Sequence, residues 1–179
     1  MNSKTIDYVE LPEVTRVDSN AFTNFYMTTL SLPKCENLST FMSTHIYNFY
    51  LPQMYSTVSG MFQSTPVKCV YCGDALSTIG ATTTGNSPFR RCYYVEKLIV
   101  DKATPPTLNT YLIDYAHNNA SNRFYNGSAF IYVPKSAMSD YESATNWSVY
   151  YAAGGIKAIE DSQSELAGIF PALDEKMGW

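Results

Sequence analysis

"LSLPKCENLSTFMSTHIYNFYLPQM", residues 30–54, states one pattern twice: an apolar residue, any residue, Leu, Pro, then a polar run broken by single apolar positions. Self-similarity at a fixed spacing marks a repeat architecture and takes precedence over any element-by-element reading. Outward from this stretch the pattern recurs as VELPEVTRVDSNAF from Val9, FYLPQMYSTVSGMF from Phe49 and CVYCGDALSTIG from Cys69. Looser copies follow, LIVDKATPPTL from Leu98 and IYVPKSAM from Ile131. The second apolar residues of these units, Leu11, Leu32, Leu51, Tyr71, Val100 and Val133, are separated by 21, 19, 20, 29 and 33 positions.

Apolar residues at i and i+2 point to one face of a strand, here taken as inward. On this count Cys69 and Tyr71 both face inward. The strands end at Pro12, Pro33 and Pro52, where the missing N–H stops ladder pairing. Behind each strand, apolar residues recur three to five positions apart: Val14, Val17 and Phe22; Cys35, Leu38 and Phe41; Met54, Val58 and Phe62. That spacing predicts irregular or 3₁₀ structure closing each coil. One rung cannot bury its apolar pair, whereas stacked rungs bury each other's. The expected fold is therefore a β-rich (α/β repeat) solenoid, a right-handed leucine-rich-repeat coil with a parallel strand ladder and a C-terminal helical cap. A β-sandwich also has short strands at regular spacing, but it does not require the trailing apolar triplets.

Residues 1–160 are expected to form the solenoid, with insertions near 73–97 and 102–129 that emerge as loops on one side. A cap over 131–160 would comprise a helix from about Lys135 to Ala144 with Ser136 as N-cap, then Trp147, then a turn at Gly154-Gly155. The C-terminal tail, 161–179, carries Leu166, Ile169, Phe170, Leu173 and Trp179. Three outcomes are open for it: folding back on the array, docking on another chain, or disorder.

The strand units, and above all IYVPKSAMSDYESATNWSVY from Ile131, resemble the BspA-like leucine-rich repeats. In that family a last I-Y-V-P strand leads into a Ser-Ala…Tyr…Ala…Trp helix that closes the solenoid. The resemblance spans about residues 6 to 160; Cys72 and Asp101 depart from it where other units have Pro. It implies binding or adhesion without catalytic residues. Family members are mostly surface or secreted proteins of gut and oral anaerobes, with similar units in proteins of phages that infect them.

Only 16% of the residues are charged and the formal net charge is −4, while Tyr alone occurs fifteen times. Lys and Arg are scattered, so no basic stripe for nucleic acid exists. The opening MNSKTIDYVELPEV has no apolar signal region, and no run of residues is long and apolar enough to enter a membrane. An array that opens directly on a strand lacks an N-terminal cap, which points to part of a longer exported, cell-surface or virion protein. No cofactor or metal is expected. Cys69 and Cys72 form C-x-x-C without a second pair or a His pair, so Cys35 and Cys69 read as core residues. A disulfide between Cys72 and Cys92 could close the first insertion. His45 and His117 stand apart, with Asp114 three residues from His117 the one suggestive spacing. N-x-[ST] triplets at Asn37, Asn119, Asn126 and Asn146 are no more than such a Ser/Thr-rich chain yields by chance.

The candidate site is the outward strand face, where residues alternating with the inward pairs form two columns. Its candidate ligand-binding residues are Tyr8, Glu10, Ser31, Asn48, Tyr50, Lys68, Lys97, Phe130 and Tyr132. Tyrosines beside small polar groups suit recognition of a protein or carbohydrate ligand. Three functional readings follow. The first is a non-catalytic adhesion module using this face or the insertions. The second is a structural component of a phage virion or tail that self-assembles, or docks to a larger chain, through its ends. The third is a hydrolase dependent on His117.

Overall fold

Apolar-x-apolar segments recurring along the chain can bury their side chains by lying side by side in one sheet, and that is how they lie. The computed structural model describes residues 5–19, 21–41 and 44–179. The first four residues of the expected array lie outside these. Seven strands, β1 (Ile6–Glu10), β3 (Tyr26–Ser31), β5 (His45–Leu51), β6 (Cys69–Cys72), β8 (Lys97–Val100), β10 (Phe130–Val133) and β11 (Ile156–Ala158), form one sheet in that order. Every pairing in it is parallel. With a few short helices, this is an α/β-type fold. The seventh strand, β11, follows the expected turn at Gly154-Gly155 and lies beyond the last unit read from the sequence.

The segments between these strands are more regular than their spacing predicts. Two-residue strands β2 (Arg16–Val17) and β4 (Asn37–Leu38) pair in parallel, as do β7 (Thr78–Ile79) and β9 (Thr107–Leu108), and Ser56 bridges to Thr78. The expected insertions contribute to the interior: Leu76, Ile79, Phe89, Leu108, Leu112 and Phe124 are all at most 3% exposed. Among the described residues, no helix is long and apolar enough to cross a membrane.

Register places Val9, Leu30, Phe49, Val70, Leu98, Ile131 and Ile156 at one level. A second inward file runs through Leu51, Cys72 and Val100. Leu11 and Leu32 extend it, their amides donating to Ser31 and Tyr50 of the neighbouring strands. The inward assignment of Cys69 and Tyr71 is thus off by one residue: Val70 and Cys72 point in, while Cys69 and Tyr71 point out. A single-residue slip exchanges the two faces of a strand completely. All four residues of β6 are buried, so alternation could not fix its phase.

Behind the strands runs a column of phenylalanines. Phe41 stacks on Phe62 at 5.7 Å, Phe62 on Phe89 at 5.1 Å, and Phe22 lies 6.1 Å from Phe41. Three residues after Phe41 and Phe62, the hydroxyls of Thr44 and Thr65 donate back to the Phe41 and Phe62 carbonyls at 2.9 and 2.7 Å. After Phe89 the same place is taken by Cys92, whose thiol donates to the Phe62 carbonyl at 2.8 Å. Cys92 is therefore a buried member of the repeat, and no disulfide joins it to Cys72; all four cysteines are free and buried. One residue earlier the backbone turns left-handed, with φ +63° at Asn24, +58° at Ser64 and +56° at Arg91.

Phe62 is fully buried against Phe41, Phe49 and Phe89. Replacing it with alanine is expected to cost about 3–5 kcal/mol. Phe22→Ala, at the partly exposed end of the column, should cost clearly less. Urea denaturation of both variants checks this; equal losses would contradict additive stacking.

The segment expected as a cap holds two short helices, α1 (Met138–Ser143) and α2 (Trp147–Ala152). Ser136 is not an N-cap: it lies within a 3₁₀ turn, Lys135–Ala137, and no side chain caps α1. Trp147 opens α2, is 1% exposed, and donates its indole N–H to the Pro106 carbonyl at 2.7 Å. Tyr141 packs edge-on against it at 5.0 Å. Gly155 is needed for space, because a Cβ there would run into the Phe124 carbonyl.

The tail folds back. Helices α3 (Gln163–Leu166) and α4 (Pro171–Met177) lay Leu166, Phe170 and Leu173, each at most 1% exposed, on the outward side of the sheet. There they meet Ile159, Cys69, Tyr71, Ile99 and Tyr132 in a second apolar layer distinct from the inner one.

Candidate functional site

The outward face of the sheet carries two columns, Tyr8–Thr29–Asn48–Cys69–Lys97–Phe130 and Glu10–Ser31–Tyr50–Tyr71–Ile99–Tyr132–Lys157. Sequence spacing placed most of these residues correctly. It missed that the tail divides the face into a covered C-terminal half and an open N-terminal half.

In the covered half, Tyr132 is 1% exposed and cannot meet a ligand, which removes it from the candidates. Its hydroxyl donates to Glu165 at 2.5 Å. That bond, helped by Lys157 at 2.9 Å, holds the Glu165 carboxyl below its usual range. Tyr71 donates to the largely buried Asp101, which also receives Lys176 from α4 at 2.5 Å. Burial, and then these carboxylates, push both phenols far above their ordinary range. Burial pushes the Cys69 thiol up to about 12, so it is inert as a nucleophile at neutral pH. Phe130 lies at the margin of this half, its ring partly buried under the Lys157 ammonium at 3.6 Å. Lys97 is also partly covered, its ammonium 3.6 Å from Glu96.

The open half is a small polar network framed by tyrosines. Glu10 accepts from the Tyr8 hydroxyl at 2.7 Å and from Ser31 at 2.9 Å. Asn48 donates to Thr29 at 3.2 Å. Ser31 is 1% exposed, so it holds Glu10 in place and offers no surface of its own. Tyr50 stacks on Tyr71 at 4.6 Å and touches Phe170 at 5.5 Å, so the tail forms one wall of the open region. Along the strand starts run further exposed groups: Tyr26 stacked on His45 at 4.1 Å, and Lys68 above the Tyr47 ring at 5.6 Å. A strand phase of apolar-x-x-apolar-x-apolar, as in Met27, Leu30, Leu32 and Val67, Val70, Cys72, leaves two successive residues outward and would have identified Tyr47.

The polar groups considered for hydrolysis are not gathered. Asp114 accepts from the Arg91 backbone N–H at 2.8 Å. His117 instead meets the Tyr150 hydroxyl at 3.0 Å beneath the cap, where burial lowers its pKa. The Asn37 triplet lies in β4, and the Asn146 amide is engaged by the Leu108 carbonyl at 2.6 Å.

No family model, curated protein or solved structure matches this chain.

Proposed function

We propose that the chain is a non-catalytic recognition module, a leucine-rich-repeat-type solenoid of the BspA-like kind, that binds a protein or glycan on the N-terminal half of its outward strand face. The observation that carries this is the contrast between the two halves of one continuous face. The C-terminal half is apolar and covered by the chain's own tail; the N-terminal half is polar, lined by Tyr8, Glu10, Asn48 and Tyr50, and left uncovered. Fixed hydroxyl, amide and carboxylate groups beside tyrosine rings form hydrogen bonds and ring contacts with little ordering cost, because their partners in the sheet already hold them. The IYVPKSAMSDYESATNWSVY terminus supports the same family reading, and binding at a surface or on a virion agrees with it equally.

The test is capture of the wild-type protein on glycan and protein arrays, repeated with Tyr8→Ala, Asn48→Ala and Tyr50→Ala. At least one variant is expected to bind tenfold more weakly or worse, about 1.4 kcal/mol. Lys97→Ala, at the covered margin, should change little. Unaltered capture by all three variants would remove this face as the site. The structural alternative, assembly through both ends, is favoured only at the N-terminal end, since the last twenty residues are engaged on their own sheet.

A further inference from the structure

We infer that the N-terminal end of the sheet is an interface for a second copy of this chain, joined head to head about a two-fold axis. The inference rests on the stacked-coil reading and asks nothing of the ligand. Its basis is the difference between the first coil and those after it. Leu30, Leu32, Cys35 and Phe41 are at most 2% exposed, whereas their counterparts Val9, Leu11, Val14 and Phe22 are only partly buried and Ile6 is 49% exposed. The first coil has every apolar residue needed for a covering layer and, among the described residues, no such layer. The opposite end differs: Trp147, Tyr141 and Tyr150 close it at no more than 1% exposure. Among the described residues the open apolar layer lies at this end, so a head-to-tail contact would leave the same layer bare on the last copy. A head-to-head contact covers both open layers at once and stops there.

The backbone permits the pairing. The Leu11 N–H donates to Ser31, and Val9, two residues earlier and paired with Leu30, turns toward β3 in the same way. The N–H and C=O of Tyr8 and Glu10 must then point to the free edge, since direction alternates along a strand. An antiparallel pair centred on Val9 opposes Tyr8 to Glu10 of the second copy, twice, with four backbone hydrogen bonds available. The same centre keeps Val9, an inward residue, facing its own symmetry mate. Across the coil, β2 also has a free edge, and there Arg16 and Asp18 flank Val17, which is 6% exposed. An axis running from Val9 to Val17 sets Arg16 against Asp18 of the second copy and the reverse. These two side chains pair within one chain at 2.7 Å while each is 72% exposed, so the exchange needs only a rotation of each side chain. The first coil is thus self-complementary in backbone edge, apolar layer and charge.

Sedimentation of ligand-free protein from about 1 to about 100 μM, the range where interfaces of modest size dissociate, reads the outcome. Wild type is expected to pass to twice the 20.0 kDa chain mass. Tyr8→Pro removes an edge N–H without touching the β1–β3 bonds and should stay monomeric with an unchanged circular dichroism spectrum. Should Tyr8→Pro misfold, the charge variants decide. Asp18→Arg opposes like charges and should weaken dimerisation about tenfold, and the Arg16→Asp/Asp18→Arg exchange should restore it. A wild type monomeric throughout, or dimers indifferent to both Tyr8→Pro and Asp18→Arg, would overturn the interface. Mass is read without ligand, so this failure is distinct from failure of the recognition surface. Failure of the coil reading itself would show in the Phe62 and Phe22 denaturation pair.

Discussion

Raised above about pH 10, the folded protein is expected to lose stability steeply and to unfold cooperatively within about one to two pH units. The cause is a set of buried acids that the fold keeps protonated. Tyr71, Tyr132, Tyr141 and Tyr150 are at most 4% exposed, and burial raises each phenol above its ordinary value, with carboxylates adding to the effect at the first three. Burial also raises three thiols, Cys69 and Cys92 to about 12 and Cys72 further. In the unfolded chain these groups release their protons near the ordinary values, while the native state retains them. The native state then binds more protons, so stability is intact below the unfolded values and falls as pH climbs past them. Each such group contributes about 1.4 kcal/mol per pH unit. With all seven engaged the slope approaches about 10 kcal/mol per unit, against a total stability of about 5–15 kcal/mol. Tyrosinate absorbance and circular dichroism followed together on stepwise alkalinisation should show one coincident transition. Tyr71→Phe or Tyr132→Phe should move its midpoint upward if the lost hydroxyl bond costs less than the relieved titration. Smooth titration of every phenol near its ordinary value, with the fold intact, would show that they are not buried as described.

The strand ladder could be read from residues 30–54 because each L-x-L-P segment carries its own phase and its own stop. Cys69–Cys72 carries neither: it is apolar throughout and lacks the proline, so only the preceding Val67 fixes which side faces in. Phe89 does not show in the spacing, because the segment that holds it is longer than its predecessors and a fixed offset from the strand no longer points to it. The short β2, β4, β7 and β9 pairs leave almost no sequence trace, since two residues cannot display a period. The covering of the outward face was the least predictable feature. The spacing of Leu166, Ile169, Phe170, Leu173 and Trp179 leaves fold-back open, but helices of four and seven residues are too short to say which surface they cover. Their apolar residues gain meaning only from distant Cys69, Tyr71, Ile99 and Tyr132, which in isolation read as ordinary strand residues. Of the nine candidate site residues, Tyr8, Glu10, Asn48, Tyr50 and Lys68 remain on the uncovered side. Ser31 and Tyr132 are lost to burial, and Lys97 and Phe130 are partly covered.

Replacing Leu166, Phe170 and Leu173 together by serine is expected to release the tail from the sheet while leaving the strand ladder assembled. Each of these side chains is fully buried, worth about 1.5–3 kcal/mol, so the layer as a whole loses about 5–9 kcal/mol as an upper bound. That exceeds what the Lys176–Asp101 and Lys157–Glu165 pairs can hold, because each pair has a partly exposed partner screened by solvent. The inner layer shares no buried residue with the outer one, so the phenylalanine column and the inward files should survive the loss. Hydrogen exchange should then show amides of α3 and α4 unprotected and those of β5, β6 and β8 still slow. Cys69, Tyr71, Ile99 and Tyr132 become an exposed apolar strip, visible as new binding of a hydrophobic dye. The same release tests the recognition surface, since Tyr50 loses the Phe170 wall beside it. Ligand captured on the open half should be held more weakly, whereas a ligand bound elsewhere should be unaffected. Global unfolding of the triple variant at neutral pH would instead show that the outer layer is part of a single cooperative core and that the two halves of the face are not energetically separate.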